Sequence, residues 1–532
     1  MKKNKNVKNA GEPIIGIHID LKGVLFKPSY FPQLMEDLAS QKINTILVEY
    51  EDIFPFKGLD ITFNPADRWS EKTFKYFLEC AISNKIEVIP LQQCLGHLEY
   101  LLRWQKYRKY AEYYPYPSTI CLSNKRAKAL VADMLTQIMT AHPFSRFVHL
   151  GMDEAHKLGT CPECRKKGDV LSLFLNYLEE LCDICAANGK TPIIWTDMLE
   201  DHFKPGVFDK FRNRVIMAPW DYAPHSTVDL TARIAGFRVS RKWLDKPDDP
   251  KAPPISNSTL FFEDMPESIK VFAKKYRKED GFLPIFQARM WSDMGFKVIG
   301  ASVVRSSGHL AIMPDYNAIA NNITTWANII KETKQLGIIG TSWARGTTFC
   351  PPSFSQDLIW HNVSFLSRQM GKKPLNFWDG IPAKKVDKII STLSRCKKDW
   401  QIEDNVIKEM KTLRPKIKKH VYEWDSLILM TQVTEVCKKA NFALHEVEFF
   451  HANNRPVDTE WQRRIDDQKN ILKNIADLRR KVIKHFSQRY CGDAFREWCR
   501  DLFDLWEKKL KQCMQISMQK KAIASKIYSR LK

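Results

Sequence analysis

Asp153 and Glu154 are adjacent carboxylates that follow an apolar run, Phe147-Val148-His149-Leu150, and a small residue, Gly151. Two acids sharing one site raise each other's pKa, so one can hold a proton while the other stays ionised. Acid–base work on a bond that must break needs that division. The plainer reading of the same dipeptide is a pair of acids at a helix N-terminus, where the dipole favours negative charge. A strand ending at Gly151 would instead deliver both carboxylates at its carboxyl end, where parallel barrels collect their catalytic groups.

The rest of the chain supplies the elements for such a barrel. Short apolar runs at 14–20, 45–50, 87–91, 147–151, 192–195, 214–219, 297–304 and 337–343 are mostly rich in Ile and Val without alternation. Strands buried on both faces of a parallel sheet have that pattern. Segments at 31–40, 71–84, 125–140 and 169–188 are long enough for crossover helices. Eight β-then-α units predict an α/β fold, a (β/α)8 TIM barrel. It would span residues 14–370, with an insertion at about 244–293 whose entry is marked by Pro247, Pro250, Pro253 and Pro254, and whose stretch 261–276 could be helical.

Polar and aromatic residues gather just past these runs: Asp20 and Lys22, Glu49 and Glu51, His97 and Glu99, Trp195 and Asp197, Trp220 and Tyr222, Arg305, Trp343 and Arg345. Singly, each has a bland reading. His97 could be a structural hydrogen-bond partner, Glu49 could pair with Lys22 or Arg345, and a lone Trp belongs more often to a core than to a ligand platform. Three Trp at three strand ends suit a sugar, which offers C–H faces to aromatics and hydroxyls to charged groups.

His149-x-Gly151-x-Asp153-Glu154 resembles the signature of the family 20 glycoside hydrolases, the β-N-acetylhexosaminidases. The likeness to the hexosaminidase D branch continues, in order, through the segments at 16–23, 48–55, 90–99, 195–198, 220–222 and 340–345, and so covers about two-thirds of the chain. This resemblance implies an exo-acting, retaining enzyme that removes terminal GlcNAc or GalNAc, with the substrate's own acetamido carbonyl as nucleophile and an oxazolinium intermediate. By motif position it implies Glu154 as general acid and base, and Asp153 as acceptor of the acetamido N–H. Tyr222 would donate to the acetamido oxygen, and Trp195, Trp220 and Trp343 would wall the pocket. Asp20, Lys22, Glu49, His97, Glu99, Asp197 and Arg345 would contact hydroxyls or support those that do. Arg305 stands where relatives of this branch usually carry Lys, which bears on leaving-group preference.

Composition fits a large globular enzyme: 532 residues exceed what one core usually supports, and 44% of them are hydrophobic. No apolar run reaches the roughly 18 residues of a membrane span. The basic tail at 1–13 lacks the apolar core of a signal peptide, so a cytoplasmic location is expected, and the 13 cysteines are read as reduced. Cys161-x2-Cys164 and Cys182-x2-Cys185 fall within a zinc spacing. Cys182 and Cys185, however, continue the apolar stripe Leu171, Phe174, Leu175, Leu178 and Leu181, and a helix starting near Asp169 carries Cys182 about 20 Å from its start. No metal site and no cofactor are therefore expected.

Residues 375–532 are read as a helical domain, with helices at 421–430, 433–450, 461–486 and 494–531. Residues 395–532 hold 31 Lys and Arg against 19 Asp and Glu, which raises the alternative of a polyanion-binding module. A solvated helix face is the plainer account, because Leu502, Leu505, Trp506, Leu510, Cys513, Ile516, Ile523 and Ile527 are spaced for packing. Nucleic acid is not expected as a partner, nor is a membrane; a glycan or glycoconjugate bearing N-acetylhexosamine is. A catalytically silent sugar-binding barrel is the other alternative. P-loop, H-E-x-x-H and G-x-S-x-G motifs are all missing from the sequence.

Overall fold

The computed structural model describes residues 11–22, 25–225, 228–229, 231–234, 237–240, 259–278, 281–305, 313–345, 355–395, 404–452 and 458–531. Most of the basic tail, the four-proline entry to the insertion, and Gly23, Ser306, Ser307, Gly308 and Gly346 lie outside the described residues. Eight parallel strands close into a barrel: β1 (Ile14–Asp20), β2 (Thr45–Glu49), β3 (Glu87–Leu91), β4 (Phe147–His149), β5 (Thr191–Trp195), β6 (Ile216–Ala218), β7 (Lys297–Arg305) and β8 (Gly337–Ser342). Their order around the ring is β1-β8-β7-β6-β5-β4-β3-β2.

Side chains on a strand alternate between its faces, and this rule sorts the apolar residues into two cores. Ile14, Leu47, Ile89, Leu91, Ile193, Ile216, Ile299 and Ile339 fill the barrel, whereas Ile15, Ile17, Ile19, Ile46 and Val48 face the surrounding helices. Continuing each inward row by steps of two runs from Ile14 to Asp20, from Leu47 to Glu49, from Leu91 to Gln93, and from Ile193 to Trp195. The last inward position of each row is where the polar and aromatic residues stand.

Helices α1 (Phe31–Ser40), α2 (Glu71–Ser83), α3 (Lys125–Ala141), α4 (Val170–Ala187), α5 (Phe286–Asp293), α6 (Tyr316–Thr333) and α7 (Trp360–Gln369) lie outside the strands. Several begin at a side chain that caps a free backbone N–H: Ser70 accepts from Thr73, Asn124 from Ala127, Asp169 from Ser172 and Asp315 from Ala318. The insertion divides differently from the expectation. An extra sheet of Thr231–Ile234, Phe237–Ser240 and Thr259–Phe261 starts earlier, and α5 at its end packs on β7 as that strand's crossover helix. Within 261–276 only Glu267–Ala273 is α-helical, flanked by two 3-10 turns.

Beyond α7 the chain is helical: α8 (Ala383–Arg395), α9 (Asp404–Leu413), α10 (Val421–Ala452), α11 (Asp458–Phe486) and α12 (Gly492–Leu531). Helix α10 runs unbroken where the sequence suggested two helices, since Thr431 and Gln432 between them carry no breaker. Leu510 is fully buried, but Leu505, Ile523 and Ile527 are exposed, correcting the expectation that all the spaced apolar positions pack; the packed stripe of α12 runs instead through Phe503, Leu510, Ser517 and Ala524. Trp360, Phe377, Trp378 and Trp424 form one aromatic chain between barrel and helices. Arg489 is buried in that seam, bonded to Asp357 at 2.8 Å and to Tyr30 at 3.0 Å, and paired with Glu423 at 2.5 Å. Tyr490–Cys491 pairs antiparallel with Leu25–Phe26, beside the mouth of the barrel. No helix among the described residues is long and apolar enough to cross a membrane.

Candidate active site at the carboxyl end of the barrel

A cavity of about 150 Å³ opens at the carboxyl ends of the strands, lined by Lys22, Glu49, Gln93, His97, Asp153, Glu154, Trp195, Trp220, Tyr222, Trp343 and Arg345. Ten of the thirteen residues expected from sequence are therefore on its wall. Asp20, Glu99 and Asp197 stand behind it, and Gln93 completes the lining. Gln93 ends the inward row of β3 and donates to Glu49 at 3.2 Å, so strand alternation could have found it.

The Asp153-Glu154 dipeptide leaves β4 through a tight turn. His149 Nδ1 accepts the Gly151 N–H at 3.0 Å, and burial lowers the His149 pKa to about 3, so the ring stays neutral and free to accept. Gly151, Met152 and Glu154 all have positive φ. That conformation costs each non-glycine residue roughly 1–2 kcal/mol, and it turns the two carboxylates into one mouth. The Asp153 side chain is 9% exposed and that of Glu154 45%. One acid is therefore enclosed while the other reaches the solvent side, where a leaving group would stand.

His97 bridges them. Its Nε2 lies 3.4 Å from Asp153 Oδ2 and 3.3 Å from Glu154 Oε2. Burial works against the imidazolium, but Asp153 and Glu154 more than offset it and hold the His97 pKa well above the usual histidine value. Asp197 braces the dipeptide from behind: its Oδ2 accepts the Glu154 N–H at 2.9 Å and its Oδ1 the Trp220 Nε1–H at 3.3 Å. Burial, with the Asp153 charge adding to it, pushes the Asp197 carboxyl up to about 8.

The opposite wall is an ion-paired lattice. Lys22 Nζ donates to Glu49 at 2.6 Å, lies 3.3 Å from Asp20 and sits over the Trp343 ring at 4.8 Å. Burial disfavours the ammonium, yet Asp20, Glu49 and Glu51 raise its pKa above the ordinary value. Burial likewise disfavours the Glu49 carboxylate, which Lys22 and His18 hold below the usual range. Asp20 is consumed in joining β1 to β8, accepting Ala344 N–H at 2.7 Å and Lys22 N–H at 2.8 Å. Arg345 Nε donates to the Lys22 carbonyl at 2.9 Å, and its other arm reaches Glu497 of α12 at 3.0 Å. The helical region thus touches a residue of the pocket wall. Arg305 is wholly buried below the rim and donates to the Trp343 carbonyl at 2.7 Å, so it supports the pocket from beneath rather than lining it.

Trp195 and Trp343 have centroids 6.3 Å apart, and Trp220 stacks on Tyr222 at 5.4 Å. Burial raises the Tyr222 hydroxyl pKa, which keeps it a neutral donor. Together these rings make an apolar cup with carboxylates at one side and cations at the other, the surface a single pyranose ring would need.

Residues 56–240 match the family model described as glycosyl hydrolase family 20, catalytic domain. The match contains His97, Asp153, Glu154, Trp195, Asp197, Trp220 and Tyr222. Hexosaminidase D from Bos taurus is 32% identical over 192 residues, 35% of this chain and 56% of that one. Hexosaminidase D from Homo sapiens is 31% identical over 192 residues, 35% of this chain and 40% of that one. The chain thus spans about half the length of the curated relatives it matches. A β-N-acetylhexosaminidase from Bacteroides fragilis overlays with a TM-score of 0.45 and 14% identity, over 71% of this chain and 70% of that chain.

Proposed function

We propose that this chain, whose residues 56–240 match the catalytic domain of glycosyl hydrolase family 20 and which is similar to hexosaminidase D over 192 residues, is a β-N-acetylhexosaminidase that removes a terminal GlcNAc or GalNAc with retention of configuration. The observation that carries this reading is His97 Nε2 within 3.4 Å of both Asp153 and Glu154 at the edge of an aromatic cup. Asp153, enclosed, accepts the N–H of the substrate's 2-acetamido group and turns its carbonyl oxygen toward the anomeric carbon. Tyr222 donates to that oxygen as it attacks. Glu154, on the solvent side, gives a proton to the departing glycosidic oxygen. The oxazolinium that forms bears positive charge next to Asp153, in a site dry enough for that charge to count. Glu154, now a carboxylate, then takes a proton from the water that opens the ring.

His97 supplies the proton's resting place. With the imidazolium shared between two carboxylates, the pair His97–Glu154 holds one proton through neutral pH. Arrival of a sugar displaces water from Glu154, which favours the uncharged carboxylic acid and draws the proton onto it. Chromogenic β-glycosides of GlcNAc and GalNAc test the proposal side by side: release of the aryl group from at least one, and tight inhibition by a thiazoline mimic of the cyclised intermediate, are expected. Binding of either sugar without turnover would leave a sugar-binding barrel instead. Trapping of a covalent glycosyl ester on the chain would overturn the acetamido route.

A further inference from the structure

The cysteine pairs that share a zinc-like spacing do not meet. Cys182 and Cys185 are buried in α4, and Cys185 faces Cys94. Cys161 and Cys164 instead meet two residues from the loop after β3: Glu112 and Cys121. One ligand atom from each of the four lies within 4.8 Å of every other. Cys121 Sγ is 3.6 Å from Cys161 Sγ and 3.7 Å from Cys164 Sγ, and Cys164 Sγ is 3.2 Å from Glu112 Oε2.

Those spacings have a specific meaning. A tetrahedral zinc with sulfur ligands at about 2.3 Å has S···S edges of about 3.8 Å, and edges to a carboxylate oxygen of about 3.5 Å. A disulfide would need sulfurs at about 2.05 Å and would consume only two of the three thiols. Glu112 and Cys164 are buried, and Cys121 and Cys161 are half-buried. Two donors already point at the sulfurs: Ser123 Oγ donates to Cys164 Sγ at 3.2 Å, and the Cys164 N–H, at the start of a helical turn, points at Cys161 Sγ at 3.3 Å. Outer donors of this kind orient and stabilise metal-bound sulfur. Glu112 is itself fixed, accepting the Cys161 N–H at 3.0 Å.

We propose that Glu112, Cys121, Cys161 and Cys164 bind one structural zinc ion, which staples the loop after β3 to the loop after β4. The staple has a use. The first loop carries His97 and the second Asp153 and Glu154, and both hold residues with positive φ. The two already touch: a Cβ on Gly96 would fall 2.3 Å from the Asp153 carbonyl. Farther out, Leu98 N–H bonds Ser118 and Ile120 N–H bonds Leu95, so the strip that ends in Cys121 lies on the segment bearing His97. A metal at its far end fixes strained loops that short hydrogen bonds alone would let drift.

Metal analysis of the full chain, purified without chelator, is expected to find one equivalent of zinc. Reconstitution with cobalt in its place should give visible bands of tetrahedral intensity and a thiolate charge-transfer band. Cys121→Ser should lose the equivalent, Cys182→Ser should keep it, and Glu112→Cys should keep it while the charge-transfer band grows from three thiolates' worth to four. Stripping the zinc should speed amide exchange in 95–121 and 152–168 and leave 486–498 unchanged. Wild-type protein that is folded yet binds neither zinc nor cobalt would overturn the site, as would a Cys121–Cys161 disulfide in freshly purified protein. Should Cys121→Ser not fold, the cobalt spectra of wild type and Glu112→Cys decide, and a spectrum without thiolate charge transfer would overturn the site equally.

Discussion

Glu154, His97 and Asp197 differ in what they ask of a proton, and each difference can be measured. Glu154→Gln keeps the shape but cannot donate, so kcat should fall about 10²-fold or more for a poor leaving group and far less for an activated aryl one. An equal loss on both would remove Glu154 from the acid role. On the proposed route His97→Gln takes away the group that stores the proton and leaves Glu154 to hold it alone. The alkaline limb of kcat/KM should then move toward acid by about one pH unit or more; an unmoved limb would make His97 merely structural. For Asp197 the readout is stability. Its folded pKa of about 8 lies above the usual carboxylate value, so between about 4 and 8 the folded chain holds a proton that the unfolded chain releases. Stability from this group is therefore lost as pH rises through that window. Asp197→Asn cannot ionise, and its unfolding midpoint should fall less steeply than the wild type's from pH 4 to 8; parallel curves would contradict the assignment.

Loops, rather than strands, set the precision of the site. Gly96 has no room for a side chain against the Asp153 carbonyl, so Gly96→Ala must push the two loops apart. Its expected cost is about 1–3 kcal/mol of stability, as for other overpacked positions, together with a fall in kcat from the displaced His97. An unchanged kcat would show that the loops tolerate the shift. The same division explains what was legible in the sequence. Runs such as 14–20 and 87–91, and helical stretches such as 71–84, 125–140 and 169–188, announce themselves through composition and length, so the barrel and the wall residues at its strand ends could be read. Glu112 and Cys121 could not, because their partners Cys161 and Cys164 lie across a loop-to-loop contact, and spacing within one segment points to Cys182 and Cys185 instead. Asp20 and Arg305 were visible as polar strand ends, but not their use: one ties β1 to β8 and the other holds the Trp343 carbonyl. The exposed apolar residues of α12, Leu505, Ile523 and Ile527, follow the same helical period as its buried ones, and period alone does not say which of two adjoining faces a neighbouring helix covers.

At the scale of the molecule, the barrel and the helices after α7 share one apolar core, closed by Trp424, Phe486 and Trp498. Many basic residues of that region are already paired with acids of adjacent helices, Arg479 with Asp504 at 2.7 Å and Arg463 with Glu446 at 2.9 Å among them. Deleting residues 375–532 should therefore expose apolar surface and leave the barrel aggregated or sharply destabilised; a soluble, fully active fragment of residues 1–374 would refute this.

The ribbon between Leu25 and Cys491 joins positions 466 apart, and Arg345 meets Glu497 only a few residues later. During synthesis, chain emerges from the ribosome N-terminus first, at about 5–20 residues per second. All eight strands can be outside, and the ring closed, while the last wall contact of the pocket is still inside the exit tunnel. The nascent chain consequently carries Asp153 and Glu154 for many seconds before the wall around them is complete, and the pocket is finished only with the final helix.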